Sequence, residues 1–308
     1  RREGREGVST PFADRLHGAV EATGTPIVVG LDPHLALLPG EYAVASDTAA
    51  PRAERAAAME RFLLEIVDLC AGAVPAVKPQ AAFFEVLGAD GVAAFERVVA
   101  AAKSAGLLVI GDVKRGDIGS TAAAYAEACL SGAERGHMCD AATVNPYLGS
   151  DSITPFVDAC RAADAGIYVL VRTSNPGGAD LQALELAEGG SVAEHMARAV
   201  AGWGAELVGE SGWSSVGAVV GATHPAELGA LRELMPRTPL LLPGYGAQGG
   251  TAAGLAAAFT DGPHGALVNS SRGILFAHAK DSSGGHWKDA SARAIAAMRE
   301  DLAPLFRS

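Results

Sequence analysis

The sequence predicts a (β/α)₈ barrel built as one domain over residues 12–308. Short apolar runs alternate with helix-patterned stretches eight times along the chain, which is the arrangement of a parallel barrel. The runs also lack the period-two alternation of a half-exposed sheet, as expected where helices cover one face and a packed lumen fills the other. An open doubly wound sheet is the alternative, but no G-x-G-x-x-G follows the first run, where a dinucleotide-binding fold needs one.

Each unit is read from its residues in order. Arg1 to Gly7 are charged and Gly-rich and lack an initiator Met, so residues 1–11 are expected to be a disordered, processed or vector-derived tail. A short amphipathic helix, Phe12 to Thr23, leads into the first strand, Pro26 to Asp32. The helix Pro51 to Ala71 carries Phe62, Leu63, Ile66, Val67 and Cys70 at helical spacing. Strand two is Val74 to Pro79, followed by a helix from Gly91 to Ser104 that Gly106 stops. Strand three, Leu107 to Ile110, runs into Asp112, Lys114 and Asp117, and an Ala-rich helix spans Thr121 to Leu130. Four more pairs follow: strand Ala141 to Asn145 with helix Ser152 to Ala163, strand Ile167 to Val171 with helix Ser191 to Val208, strand Gly217 to Val220 with helix Pro225 to Met235, and strand Pro239 to Leu242 with helix Thr251 to Phe259. Strand eight, Gly265 to Asn269, precedes a last helix near Trp287 to Leu302.

Bulk properties narrow the function classes. Apolar residues make up 49% of the 308, enough for a sizeable core. A formal net charge of −11 argues against nucleic acid or an anionic membrane as partner, so any bound phosphate must be held by local donors. Cys70, Cys129, Cys139 and Cys160 show neither CxxC nor zinc spacing, and a reducing, cytoplasmic protein is expected. No apolar run reaches membrane-spanning length. The histidines form no HxH or HExxH pattern, so no metal site is expected.

In a barrel the strand ends and the loops after them form one rim, which is where active sites lie. The polar residues of this sequence gather there: Asp32, Lys78, Asp112, Lys114, Asn145, Ser174, Gln248 and Arg272. Asp112 and Lys114, two apart on an extended strand, should project together, whereas Asp117 lies past the Arg115-Gly116 turn and must look across the site or toward a neighbouring subunit. Three charges at the mouth of an apolar strand are costly unless they pair or work. The Gly-rich loop Pro243 to Gly250, with Gln248, and the always-charged fork of Arg272 follow strands seven and eight, where barrels commonly hold phosphate. His34 is near the rim without a visible partner and reads as a bystander.

Asp112-x-Lys114-x-x-Asp117-Ile118, with Lys78 on strand two and Asp32 on strand one, resembles the orotidine 5′-phosphate decarboxylases. Ser174-Asn-Pro-Gly177, Pro243-Gly-Tyr-Gly-Ala-Gln248 and Ser271-Arg-Gly273 extend the likeness over nearly the whole chain, and the wording Asp112 to Thr121 is similar to the longer bacterial branch. The resemblance implies decarboxylation of orotidine 5′-phosphate to UMP without a cofactor or metal. It implies that Lys114 protonates C6, that Asp112 sits beside the substrate carboxylate, and that Lys78 holds Asp112 and the ribose. Asp117 and Thr121 would enter from the partner of a homodimer. Asp32 would bind a ribose hydroxyl, Ser174 the pyrimidine edge, and Gln248 and Arg272 the phosphate, with Ile118, Pro176 and Gly273 also lining the substrate. Asn175 departs from the shorter branch, where a His often follows the Ser.

The residue types suit that chemistry. Loss of carbon dioxide from a pyrimidine C6 leaves an in-plane anion with little delocalisation, which fixed charges must stabilise. A magnesium-dependent sugar-phosphate decarboxylase or aldolase is the nearest alternative; it should carry a carboxylate on strand two, where this chain has Lys78. A catalytically silent nucleotide-binding barrel is the other, and it should show a broken Asp-Lys set.

Overall fold

The computed structural model describes residues 10–130, 138–223, 225–246, 249–281 and 285–306. Along the chain these form α1 (Phe12–Thr23), β1 (Ile27–Leu31), α2 (Arg52–Cys70), β2 (Ala76–Pro79), α3 (Ala81–Glu85), α4 (Gly88–Ser104), β3 (Leu108–Arg115), α5 (Gly119–Cys129), β4 (Ala141–Val144), α6 (Ser150–Ala163), β5 (Gly166–Arg172), α7 (Ala179–Gln182), α8 (Val192–Trp203), β6 (Val216–Val220), α9 (Pro225–Leu234), β7 (Leu240–Leu242), α10 (Ala252–Leu255), β8 (Ala266–Ser270), α11 (Arg272–Leu275) and α12 (Trp287–Leu302). The strands are parallel, each beside the next, and β8 returns to β1 with Asn269 opposite Val28, so the sheet closes. The predicted barrel is the observed one.

The apolar runs are buried on both faces for the reason their sequence suggested. One set of side chains, including Val28, Ala76, Ile110, Ala141, Tyr168, Val219, Leu241 and Leu267, fills the lumen. The alternate set, such as Val29, Val77, Val109, Val144, Val169, Ala218, Leu240 and Val268, packs outward under the helices. α1 is not part of the outer ring. Its stripe Phe12, Leu16 and Val20 joins the lumen cluster, so the helix plugs the end of the barrel where the strands begin. Phe12 stands edge-on to Tyr168 with ring centroids 6.2 Å apart, and a side chain at Gly166 would collide with the Phe12 ring. Burying such a stripe contributes roughly 1.5–3 kcal/mol per large side chain.

Several boundaries differ from the sequence reading. β3 does not stop at Ile110 but continues through Lys114 to Arg115. The helix expected over Ser191–Val208 stops at Trp203, where Gly204 gives way to a 3₁₀ turn, Ala205–Leu207. The one expected over Thr251–Phe259 shortens to α10 and a 3₁₀ turn, Ala256–Ala258, with Gly254 weakening the α-helical run. α3, α7 and α11 are too short to leave a periodic signal. Pro11, assigned to the tail, carries the first turn of α1, its carbonyl accepting from the Asp14 and Arg15 amides; residues 1–9 lie outside the described residues. No helix among the described residues is long and apolar enough to cross a membrane.

Candidate active site

The C-terminal ends of β2, β3 and β4 bring four polar side chains into one hydrogen-bonded group. Lys78 on β2 is 4% exposed, and its Nζ donates to Asp112 Oδ2 at 2.6 Å. Lys114 Nζ donates to the other oxygen, Asp112 Oδ1, at 2.5 Å, and its side chain is 45% exposed. Thr143 on β4 donates its hydroxyl to Asp112 Oδ1 at 3.0 Å. Asp112 is thus a buried carboxylate between a buried ammonium and an accessible one. Of the two ammoniums, Lys114 is the more accessible from the mouth.

The electrostatics follow. Burial pushes the Asp112 carboxyl up, but the Lys78 and Lys114 ammoniums outweigh it and hold the group well below the usual carboxylate range. Burial likewise penalises the charged form of Lys78, and the carboxylates of Asp112 and Asp32 reverse that penalty, raising it above its ordinary value. Both groups are therefore charged at neutral pH.

Lys114 is aimed by an irregular backbone rather than by plain strand alternation. The β3–β4 register shifts between Gly111 and Arg115, which pair with Ala142 and Val144. Within that bulge Lys114 has φ +43°, a left-handed conformation that costs a long side chain on the order of 1–3 kcal/mol. The same Thr143 hydroxyl accepts the Lys114 amide at 2.9 Å, tying the strained residue to the next strand. Thr143 is the member of the group that sequence reasoning missed. Its signal was faint: a hydroxyl two residues beyond Ala141 on the lumen face of an otherwise apolar strand.

Asp32, just past β1, has a solvent-shielded Oδ1 without a hydrogen-bond partner among the described residues, as does Asn269 on β8. Beside Asn269, Gly30 must lack a side chain, since a Cβ there would lie 1.9 Å from Ser271 Oγ. Ser174 follows β5 on a loop that Gln182 holds, its Oε1 accepting from the Thr173 amide at 2.8 Å, while Pro176 opens an exposed 3₁₀ turn. A Cβ at Gly221 would lie 2.9 Å from the Ser174 backbone, so this loop and the end of β6 touch. Arg272 and Gly273 begin α11 and are exposed. Gln248 lies outside the described residues. The described part of its loop turns on left-handed Gly244 and Gly246, and is tied to α12 by a hydrogen bond from the Tyr245 hydroxyl to Asp301.

Asp117, Ile118 and Thr121 do not join the Lys-Asp group of their own chain. The Asp117 carboxylate accepts the neighbouring Ile118 amide at 2.8 Å, Ile118 is 56% exposed, and Thr121 is exposed on α5. Asn145 turns its side-chain oxygen to the Tyr147 amide at 3.0 Å. His34 packs its ring on Phe83, 4.4 Å between centroids.

The sequence matches the model of the family described as "Orotidine 5'-phosphate decarboxylase / HUMPS family" over residues 25–283. It is 46% identical over 301 residues to the orotidine 5′-phosphate decarboxylase of Rhodopirellula baltica, covering 94% of this chain and 98% of the relative. Identity to that of Deinococcus radiodurans is 44%, covering 94% and 96%. Among solved structures, a candidate orotidine 5′-phosphate decarboxylase from Streptomyces avermitilis superposes with a TM-score of 0.81 at 38% identity over 100% of both chains. The OMP decarboxylase of Leishmania donovani does so at 0.75 and 31%, over 97% of this chain and 100% of the other.

Proposed function

This chain belongs to the orotidine 5′-phosphate decarboxylase / HUMPS family, and from that premise we propose that it converts orotidine 5′-phosphate to UMP and carbon dioxide, the last step of de novo pyrimidine biosynthesis. The observation that carries the reading is the Lys78–Asp112–Lys114 line at the barrel mouth, with its one accessible ammonium next to a carboxylate. The C6–carboxylate bond breaks with its electron pair left on C6. Lys114 Nζ gives C6 a proton as carbon dioxide departs, and solvent later restores the ammonium. At about 4 Å an ammonium stabilises a unit negative charge by on the order of 4 kcal/mol at an effective dielectric near 20. Asp112 holds Lys114 protonated and aimed, and lies where the substrate carboxylate would be crowded by a like charge.

The remaining residues take binding roles in the same reading. Asp32 and Lys78 meet the ribose, Ser174 and Pro176 the pyrimidine edge, and Gln248, Arg272 and Gly273 the phosphate. Binding energy from the phosphate, remote from C6, is available for alignment and closure. Asp117, Ile118 and Thr121 would complete the site of a second copy, an arrangement supported by their outward, rim-side position. The unpaired Cys70, Cys129, Cys139 and Cys160 fit a reducing, cytoplasmic setting.

The test is absorbance loss on adding orotidine 5′-phosphate to EDTA-treated protein. Conversion to UMP at an undiminished rate is expected. Turnover of a sugar phosphate alone, and only after magnesium is restored, would overturn the reading. The shared site has its own test. Lys114→Ala and Asp117→Ala proteins, each inactive, should regain about a quarter of wild-type activity when mixed, since half of randomly paired dimers would hold one intact site. No recovery after confirmed subunit exchange would rule it out.

A further inference from the structure

At the closed end of the barrel, opposite the charged mouth, three side chains converge that the decarboxylation scheme does not use. His17 and Glu21 lie one helical turn apart on α1, beside the stripe that plugs the lumen. His264 comes from the turn that leads into β8, a buried residue 7% exposed. Its ring stacks on that of His17, with centroids 3.9 Å apart and planes inclined by 20°, and its Nε2 lies 2.5 Å from Glu21 Oε1. One donor atom from each of the three falls within 4.8 Å of the others.

We propose that His17, Glu21 and His264 form a site for a divalent transition metal of the zinc type, which fastens α1 to the turn before β8. Two imidazoles and one carboxylate are a borderline donor set suited to such ions and poor for magnesium or calcium. The surroundings of His17 support the assignment. His17 Nδ1 is shielded from solvent and has no hydrogen-bond partner among the described residues, an arrangement unfavourable for a buried polar atom. Beside it is a small pocket of about 20 Å³, room for one ion or water, lined by His17 and His264 and otherwise by mostly apolar residues such as Leu16, Trp213 and Pro239, with Glu21 outside that lining. Ligands about 2.0–2.2 Å from a tetrahedral ion are roughly 3.3–3.6 Å apart. On binding, His264 Nε2 and Glu21 Oε1, now 2.5 Å apart, would separate, and the His17 ring would turn out of its stack to aim a nitrogen at the ion. The ion would replace the proton that His264 and Glu21 now share.

The test titrates Zn²⁺ alone into tag-free, EDTA-treated full-length protein by calorimetry, with Co²⁺ absorption as the ligand-field readout. One equivalent should bind in the micromolar range or tighter, and Zn²⁺ should raise the melting temperature. Glu21→Gln and His17→Gln should each weaken binding tenfold or more and abolish the thermal shift; Glu21 is surface-exposed, so that variant should stay folded. Absence of binding below about 1 mM, or binding that both variants leave unchanged, would overturn the site.

Discussion

The two ends of this barrel are made from the same eight strands and treat charge in opposite ways. At the mouth, Lys78, Asp112 and Thr143 take lumen positions that lower in the barrel belong to Ala76, Ile110 and Ala141. At the closed end, Phe12, Leu16 and Val20 of α1 seal the lumen with hydrocarbon. One end concentrates electrostatic energy in a solvent-shielded group and the other supplies the burial that holds the strands in register. The contrast predicts that changes at the mouth should act on rate and changes at the plug on stability.

The sharpest way to break the comparison is to exchange the readouts. Lys114→Ala removes the accessible ammonium and the proton donor together, and kcat for orotidine 5′-phosphate should fall by on the order of 10⁴-fold or more, with the melting temperature close to wild type. Leu16→Ala, at the plug, should lower unfolding stability by about 2–5 kcal/mol while leaving kcat and KM near wild type in the folded protein. Steady-state kinetics and urea unfolding on both variants check the pair. A Leu16→Ala enzyme that is stable but slow would mean the two ends are not separable.

A buried pair should show a mixed effect. Lys78→Met leaves Asp112 without its buried partner, which typically costs 3–5 kcal/mol, or about 10²–10⁴ in the folding equilibrium, and it should lower kcat as well. Urea midpoints and kinetics on this one variant would locate the boundary between the two roles. A fully stable Lys78→Met protein would show that Lys114 and Thr143 suffice to hold the carboxylate.

The legibility of the two ends from sequence differed in the same way. Charges at strand ends stand out against apolar runs, so Asp32, Lys78, Asp112 and Lys114 could be named from sequence, and the strand-helix alternation gave away the barrel. The plug could not be foreseen. Phe12, Leu16 and Val20 look like any amphipathic stripe, and nothing in their spacing says that they face a lumen instead of a neighbouring helix. Thr143 hid inside an apolar strand, because its importance comes from the left-handed turn of Lys114 on the adjacent strand. His17, Glu21 and His264 hid for another reason: 243 residues separate Glu21 from the histidine it meets, and no local motif spans such a gap.

Thr143 gives a smaller and more specific effect. Thr143→Val keeps the shape but leaves the Lys114 amide without its acceptor and Asp112 Oδ1 with one donor fewer. The loss should be about 1–3 kcal/mol of local stability, with kcat reduced roughly tenfold and KM little changed. Thr143→Ser should restore most of the rate. A KM effect without a kcat effect would assign Thr143 to substrate binding instead of to the aim of Lys114.

The smallest effect separates the ends by pH. The Asp112 carboxyl is depressed in the folded protein by Lys78 and Lys114, despite the upward push of burial. A depressed folded value means that its stabilising contribution is complete above the unfolded value of about 3.9 and is lost as pH falls below that toward the folded value. Lys78, raised by Asp112 and Asp32, has the opposite sign: its contribution is complete below about 10.4 and is lost only as pH rises through the higher folded value. Across neutral pH neither changes. The stability gap between wild type and Asp112→Asn should therefore be constant from about pH 7 to 5 and narrow by up to about 1.4 kcal/mol per pH unit below 3.9. The gap between wild type and Leu16→Ala, which removes only hydrocarbon, should stay level through the same range. Urea midpoints for the three proteins at stepped pH measure both gaps, and a Leu16→Ala gap that narrowed in parallel would show that the plug senses the charge state of the mouth.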